Sequence, residues 1–142
     1  MKHKVSELTG GLLDAAVCFA DGRKFQLRQI DGRTYCSRWE EADYGFVTSS
    51  MAWEWFSYQP STSWATGGPI IEREGIAIAP YEHGIGEPSM WVAWVEERQH
   101  QATFDSYFER GIFDDNSRGH TPLIAAMRAY VCSKLGEEVE LP

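Results

Sequence analysis

The segment Thr121 to Gly136, TPLIAAMRAYVCSKLG, leaves little choice of local structure. The Thr121 hydroxyl can cap a helix, and Pro122 suits the first helical position, where a missing N–H and a fixed φ do no harm. Leu123, Ile124, Met127, Tyr130 and Val131 then recur at i, i+1, i+4, i+7 and i+8, and Gly136 is the natural stop. A helix with one apolar stripe must bury it against another layer, so the rest of the chain has to supply that layer.

Thr9 is expected to cap a second helix, in which Leu12, Leu13, Ala16, Val17 and Ala20 share a face and Gly22 is the stop. Gly10 and Gly11 weaken its first turn by about 1 kcal/mol each relative to alanine, which calls for close packing or a ligand near the amides, and packing is the preferred reason. Phe25 and Leu27 alternate with Lys24, Gln26 and Arg28; Asp31-Gly32 supplies a tight turn, and Thr34 to Cys36 resumes as strand, so Lys24 to Trp39 is predicted to be a hairpin. Glu40 to Asp43 and the aromatic run Tyr44 to Tyr58 fit helix and strand equally well. Two prolines, two glycines and several hydroxyl residues predict an ordered irregular loop over Tyr58 to Pro69, YQPSTSWATGGP. Pro69 to Glu72 leads to a turn at Gly75 and a strand Ile76 to Ala79, and Pro80 to Pro88 is a turn-rich connection. Met90 to Glu96 is apolar on both faces, as a covered central strand requires. Gln99 to Gly119 is a polar excursion with one short element around Phe104 to Phe108. These pieces predict an α+β fold, a mainly antiparallel sheet flanked by an N-terminal and a C-terminal helix, within a single domain spanning residues 1–142.

An apolar fraction of 43% and an aromatic fraction of 13% suit a folded chain despite a net charge of −8. That charge repels a phosphate backbone and no lysine or arginine run offsets it, so a nucleic-acid polymer is excluded as the expected partner, whereas a small anion is not. Met1 to Leu8 lacks the apolar run of a signal peptide, and no stretch approaches the roughly 20 apolar residues of a membrane span; a cytoplasmic protein without a membrane partner is expected. Cys18, Cys36 and Cys132 are widely spaced and read as reduced, small hydrophobic residues. His3, His83, His100 and His120 lack metal-ligand spacing, and Asp114-Asp115-Asn116 lacks the rest of a calcium loop, so neither metal nor cofactor is expected.

The first candidate site is a turn at Thr66-Gly67-Gly68, where two residues without Cβ let a ligand approach backbone N–H groups, with Ser61, Thr62 and Trp64 beside it. A plain linking turn, and a core tryptophan, are the simpler alternatives. The start of the helix at Thr121 offers amides and a hydroxyl to an anion, as every helix start does. Arg73 can hold an anionic ligand bidentately or pair with Glu72 and Glu74. Arg128 shares a helix face with Ala125 and Cys132, and a surface position or a salt bridge to Glu72 or Glu74 is preferred for it over a ligand contact. Glu72 and Glu74, two apart on an extended segment, would share a face; a hydrolytic site formed with His120 and plain solvated edge charges are the two readings of them.

From Pro60 to Ile76, PSTSWATGGPIIEREGI, through a tryptophan-bearing strand to His120–Gly136, HTPLIAAMRAYVCSKLG, the chain resembles the phage NinX family of small proteins. The likeness is good over the central loop and the C-terminal helix, weaker over the N-terminal helix, and does not account for Gln99 to Gly119. It implies a phage accessory protein acting in the host cytoplasm, and it implies no reaction. The expected function is a non-catalytic, homo-oligomeric binding module that sequesters a nucleotide-like or other anionic small molecule, such as a host defence signal, on Ser61, Thr62, Trp64, Gly67, Gly68, Arg73, Thr121 and Arg128. The alternatives are a protein-interaction module that inhibits a host enzyme through Trp53, Trp55 and Phe56, and a small nucleotide hydrolase.

Overall fold

The computed structural model describes residues 2–42, 52–81, 90–95 and 117–142. In chain order these form β1 (Lys2–Lys4), a 3-10 turn (Val5–Glu7), α1 (Gly10–Ala20), β2 (Phe25–Ile30), β3 (Arg33–Ala42), β4 (Ala52–Ser57), α2 (Trp64–Glu74), β5 (Ile76–Tyr81), β6 (Met90–Val95), β7 (Arg118–Gly119), α3 (Pro122–Leu135) and β8 (Glu138–Glu140). The fold is α+β, with antiparallel pairing throughout the described strands. The expected sheet is divided into two three-stranded sheets, β2-β3-β4 and β5-β6-β7, and a ribbon in which β1 pairs with β8.

α1 is buried over every residue from Leu13 to Cys18, so it is a central helix rather than one with a single apolar stripe. It packs on β2 and β3, α3 packs on β5, β6 and β7, and the two helices pack on each other. One core results, drawing on Val5, Leu13, Val17, Cys36, Ile70, Met127, Tyr130 and Val139 among others. Both three-stranded sheets therefore stand against the same helical centre.

The predicted hairpin is present: Asp31 and Gly32 take φ of 51° and 76°, and Leu27 pairs with Cys36. β6 is the central strand of its sheet, with the adjacent Val92 and Ala93, which point to opposite faces, both buried. Tyr44 to Met51, Pro80 to Pro88 beyond Tyr81, and Gln99 to Asn116, including Phe104 to Phe108, lie outside the described residues.

Of the irregular loop expected over Tyr58 to Pro69, the part from Tyr58 to Ser63 is irregular and the part from Trp64 is corrected. Helix α2 starts at Trp64, runs through Gly67, Gly68 and Pro69, and ends at Gly75 in the left-handed conformation. Two glycines and an internal proline oppose this helix by about 5 kcal/mol of local preference. Tertiary packing overrides them: Ile70 is buried, and Gly67 lies so close to the carbonyl of Pro60 and to Leu123 that a Cβ would sit 2.4 Å and 2.7 Å from their atoms. Gly68 has open space where its Cβ would be. Gly68→Ala is therefore expected to stabilise the fold by about 0.5–1 kcal/mol in urea unfolding, whereas a glycine in a strained turn would lose stability on the same change.

Candidate functional site

The sequence-predicted residues do not gather in one place. Ser61 is buried, and its backbone N–H donates to Asp14 Oδ1 at 2.8 Å. Thr62 is exposed beside it. Trp64 is 56% exposed at the start of α2, not a core residue. Gly67 and Gly68 are helix-interior, so the N–H of Gly67 is bonded to Ser63 O at 2.8 Å and the pair is not a turn that cradles an anion.

Arg73 lies nine residues beyond Trp64, about 13 Å along the axis. It donates to Asp21 Oδ1 and Glu74 Oε1, both at 3.0 Å, and reaches the Tyr130 hydroxyl. Tyr130 in turn donates to Asp21, so this cluster fastens the C-terminal ends of α1 and α2 to α3. Burial first, then the bond to Asp21, pushes the Tyr130 phenol well above its ordinary range.

The Thr121 hydroxyl accepts from Ile124 N–H at 3.1 Å and so caps its own helix. Arg128 is 8% exposed; its Nε donates to Leu8 O at 3.1 Å and its Nη1 to Arg118 O at 2.8 Å. The preferred surface position is thus corrected, because the face it shares with Ala125 is itself buried by the segment entering α1 and by β7. The carboxylate pair is corrected as well. Glu72 and Glu74 are two apart on a helix, about 200° around the axis, and Glu74 pairs with Arg73 and Lys134. Trp53 and Trp55 share one face of β4, with Phe56 on the other.

A cleft of about 410 Å³ lies elsewhere, at the N-terminal end of α1, lined by Thr9, Gly10, Gly11, Leu12, Asp14, Arg33, Thr34, Tyr35, Gln59 and Thr62. Gly11 is why the end of the helix can reach β3: a Cβ there would stand 2.3 Å from Thr34 O. Gly10 enters the helix at φ +55° with open space beside it. The Thr9 hydroxyl makes no capping bond, contrary to expectation, so the first amides of α1 lack the side-chain acceptor that Thr121 gives α3. An uncapped helix start, an arginine, three threonines and a glutamine are groups that hold an anion and its polar substituents.

Asp14, at 2% exposure, forms part of the cleft wall. Burial pushes its carboxyl up to about 6, against the hydrogen bonds from Ser61, which pull it down. An unfolded aspartate titrates near pH 4, so the folded protein binds this proton more tightly than the unfolded chain does. The stability that it contributes is full below about pH 4 and is lost as pH rises to about 6, by about 3 kcal/mol. Asp14→Asn keeps an acceptor for Ser61 and does not titrate. Its stability relative to the native protein is expected to rise by up to that amount between pH 4 and pH 7.5 in urea unfolding. A difference that stays constant with pH would refute the assignment.

The sequence did carry signals for this site: one acid within the apolar run GGLLDAAVCFA, and a Gly-Gly at a helix start. Arg33, Tyr35 and Gln59 had none, because only the folded hairpin and the segment after β4 bring them to α1. The buried Cys18 and Cys36 thiols are pushed up to about 11 and about 12 by burial, as suits small core residues, and Cys132 is half-buried. Among the described residues no cluster of histidine, cysteine and acids could hold a metal, and no helix is long and apolar enough to cross a membrane.

No curated protein matches the chain. A family model described as Bacteriophage P22, NinX matches residues 4–134, a span that includes α1, the cleft, α2 and nearly all of α3. The chain belongs to the bacteriophage P22 NinX family.

Proposed function

We infer that this phage protein is a non-catalytic binding module of the host cytoplasm that takes up a small anionic, nucleotide-like molecule, and that the binding site is the α1 cleft rather than the α2 segment. The observation that carries the inference is the meeting, in one cleft of about 410 Å³, of the uncapped start of α1 with Arg33, Thr34 and Thr62. Helix amides and a guanidinium bind a phosphate or carboxylate locally even when the whole chain is acidic, because the favourable field is short-ranged and the net repulsion is screened by salt. Gln59 and the wall formed by Asp14 offer hydrogen-bonding partners to a base or amide edge. Sequestration of a host defence signal is the role such a module would serve in a phage.

The test is thermal unfolding and calorimetric titration against a panel of mono-, di- and cyclic nucleotides and simple carboxylates. Native mass spectrometry of protein from infected and uninfected cells accompanies it. Saturable binding of an unaltered molecule is expected, with Arg33→Ala weakening it about 10- to 100-fold through loss of a charge-assisted hydrogen bond. Turnover of the bound nucleotide would favour the hydrolase. Failure of every member of the panel, together with a ligand-free mass from infected cells, would sink the proposal.

A further inference from the structure

The outward face of the β2-β3-β4 sheet carries a surface that the cleft does not explain. Cys36 and Phe25 point to the α1 side and belong to the core or pack against it. Alternation then places Arg28, Ile30, Arg33, Trp39, Glu41, Trp53 and Trp55 on the opposite side, with Arg33 where that face meets the rim of the cleft, as the pairings Ile30↔Arg33, Trp39↔Trp55 and Glu41↔Trp53 require. Trp39 stacks on Trp53 with ring centroids 6.4 Å apart and meets Trp55 edge-on at 5.0 Å, so the three indoles form one patch.

The patch is polarised from one end to the other. Ile30, 52% exposed, stands at the hairpin end on β2 beside the exposed Arg28. Trp53, 50% exposed, stands at the diagonally opposite corner on β4 beside the exposed Glu41. Arg33 and Glu41 are eight residues apart on β3, about 27 Å. Each corner therefore holds one protruding apolar side chain and charge of a single sign, Arg28 and Arg33 at the hairpin end and Glu41 at the other, so the two ends are opposite in charge.

The geometry points to a second copy of this chain as the occupant, in a two-fold dimer through this face. An isologous interface requires that whatever residue i meets on j, j also meets on i. A two-fold axis crossing the face midway between the corners lays Ile30 and Arg28 of each copy over Trp53 and Glu41 of the other, with Trp39 and Trp55 between them. The aromatic centre supplies the desolvated contact on which such interfaces depend, and the charges fix register. A net charge of −8 on each copy opposes association at long range, so the dimer should tighten as salt screens that repulsion, until the two local ion pairs weaken too.

Sedimentation equilibrium of the full chain tests this, with circular dichroism to check that each variant is folded; the changed side chains are exposed on a sheet face. A reversible monomer–dimer equilibrium is expected. Trp53→Ala should raise its dissociation constant about 30-fold, Arg28→Glu and Glu41→Arg should each raise it, and the double variant Arg28→Glu/Glu41→Arg should recover the native value to within a few-fold. A merely structural role for either charge would give no such recovery. A protein that stays monomeric at high micromolar concentration, or a dimer indifferent to all of these changes, overturns the inference. So does a monomer that uses this face to bind a host protein.

Discussion

Replacing Arg128 with alanine is expected to remove about 3–5 kcal/mol of folding stability, a large share of the roughly 5–15 kcal/mol that holds a typical domain together. The side chain donates charge-assisted bonds to Leu8 O and Arg118 O, and it is 8% exposed. Truncation loses both bonds, leaves two carbonyls without this donor in an interior where water cannot easily replace it, and removes the packed aliphatic stem. Arg128→Met restores the stem alone and should recover about 1 kcal/mol. Arg128→Lys keeps the charge but not the fork that lets one guanidinium reach two carbonyls, and should fall between the native protein and alanine. Urea unfolding measures all three. A surface arginine would change stability by no more than about 0.5 kcal/mol, so a result that small would return Arg128 to the surface.

The pair Gly11→Ala and Gly10→Ala should separate two reasons for glycine that the sequence alone cannot tell apart. At Gly11 alanine improves helix propensity by about 1 kcal/mol, yet its Cβ would lie 2.3 Å from Thr34 O, 2.6 Å from Thr34 C and 2.9 Å from Tyr35 N. All three are backbone atoms of β3, at a point where the strand is fixed by its pairing to β2 and cannot swing aside as a side chain would. The clash wins, and a net loss of about 3 kcal/mol is expected. At Gly10 nothing lies within 4 Å, and the cost is that of placing alanine at φ +55°, about 1–2 kcal/mol. Gly11→Ala should also push α1 away from β3 and open the cleft, so ligand retention should fall with stability. Gly10→Ala should weaken binding only as far as it tilts the first amides. Equal losses from the two substitutions would mean that the helix does not seat on β3 through Gly11.

Local sequence carried the ends of the fold well. The Thr121-Pro122 start, the Asp31-Gly32 turn and the apolar β6 strand are each set by chemistry within a few residues, and they stand where their residues require. The same local logic failed over Trp64 to Glu74, because glycine and proline report what a backbone prefers when nothing packs on it. Here Gly67 makes room for the Pro60 carbonyl and Leu123. Arg128 failed in the same way: helical spacing identified its face, but only the approach of Leu8 and Arg118 shows that this face is buried.

Of the site that sequence proposed, Ser61 and Thr62 alone adjoin the cleft, one through its bond to Asp14 and the other as part of the wall. The remaining wall comes from the start of α1, the β2-β3 hairpin and Gln59, and a contact between Gly11 and Thr34 that no spacing rule anticipates joins the helix to the hairpin. What the sequence by itself determined is the α+β class, the N-terminal and C-terminal helices, the hairpin and the NinX family, since each rests on periodicity, turn chemistry or a local motif. Tertiary structure alone decided that α2 is a helix, that Arg128 is a buried clamp, and that the start of α1 meets Arg33. Those outcomes depend on which distant surfaces come within van der Waals reach, and packing at that range outweighs the few kcal/mol of local preference that a sequence reading can sum.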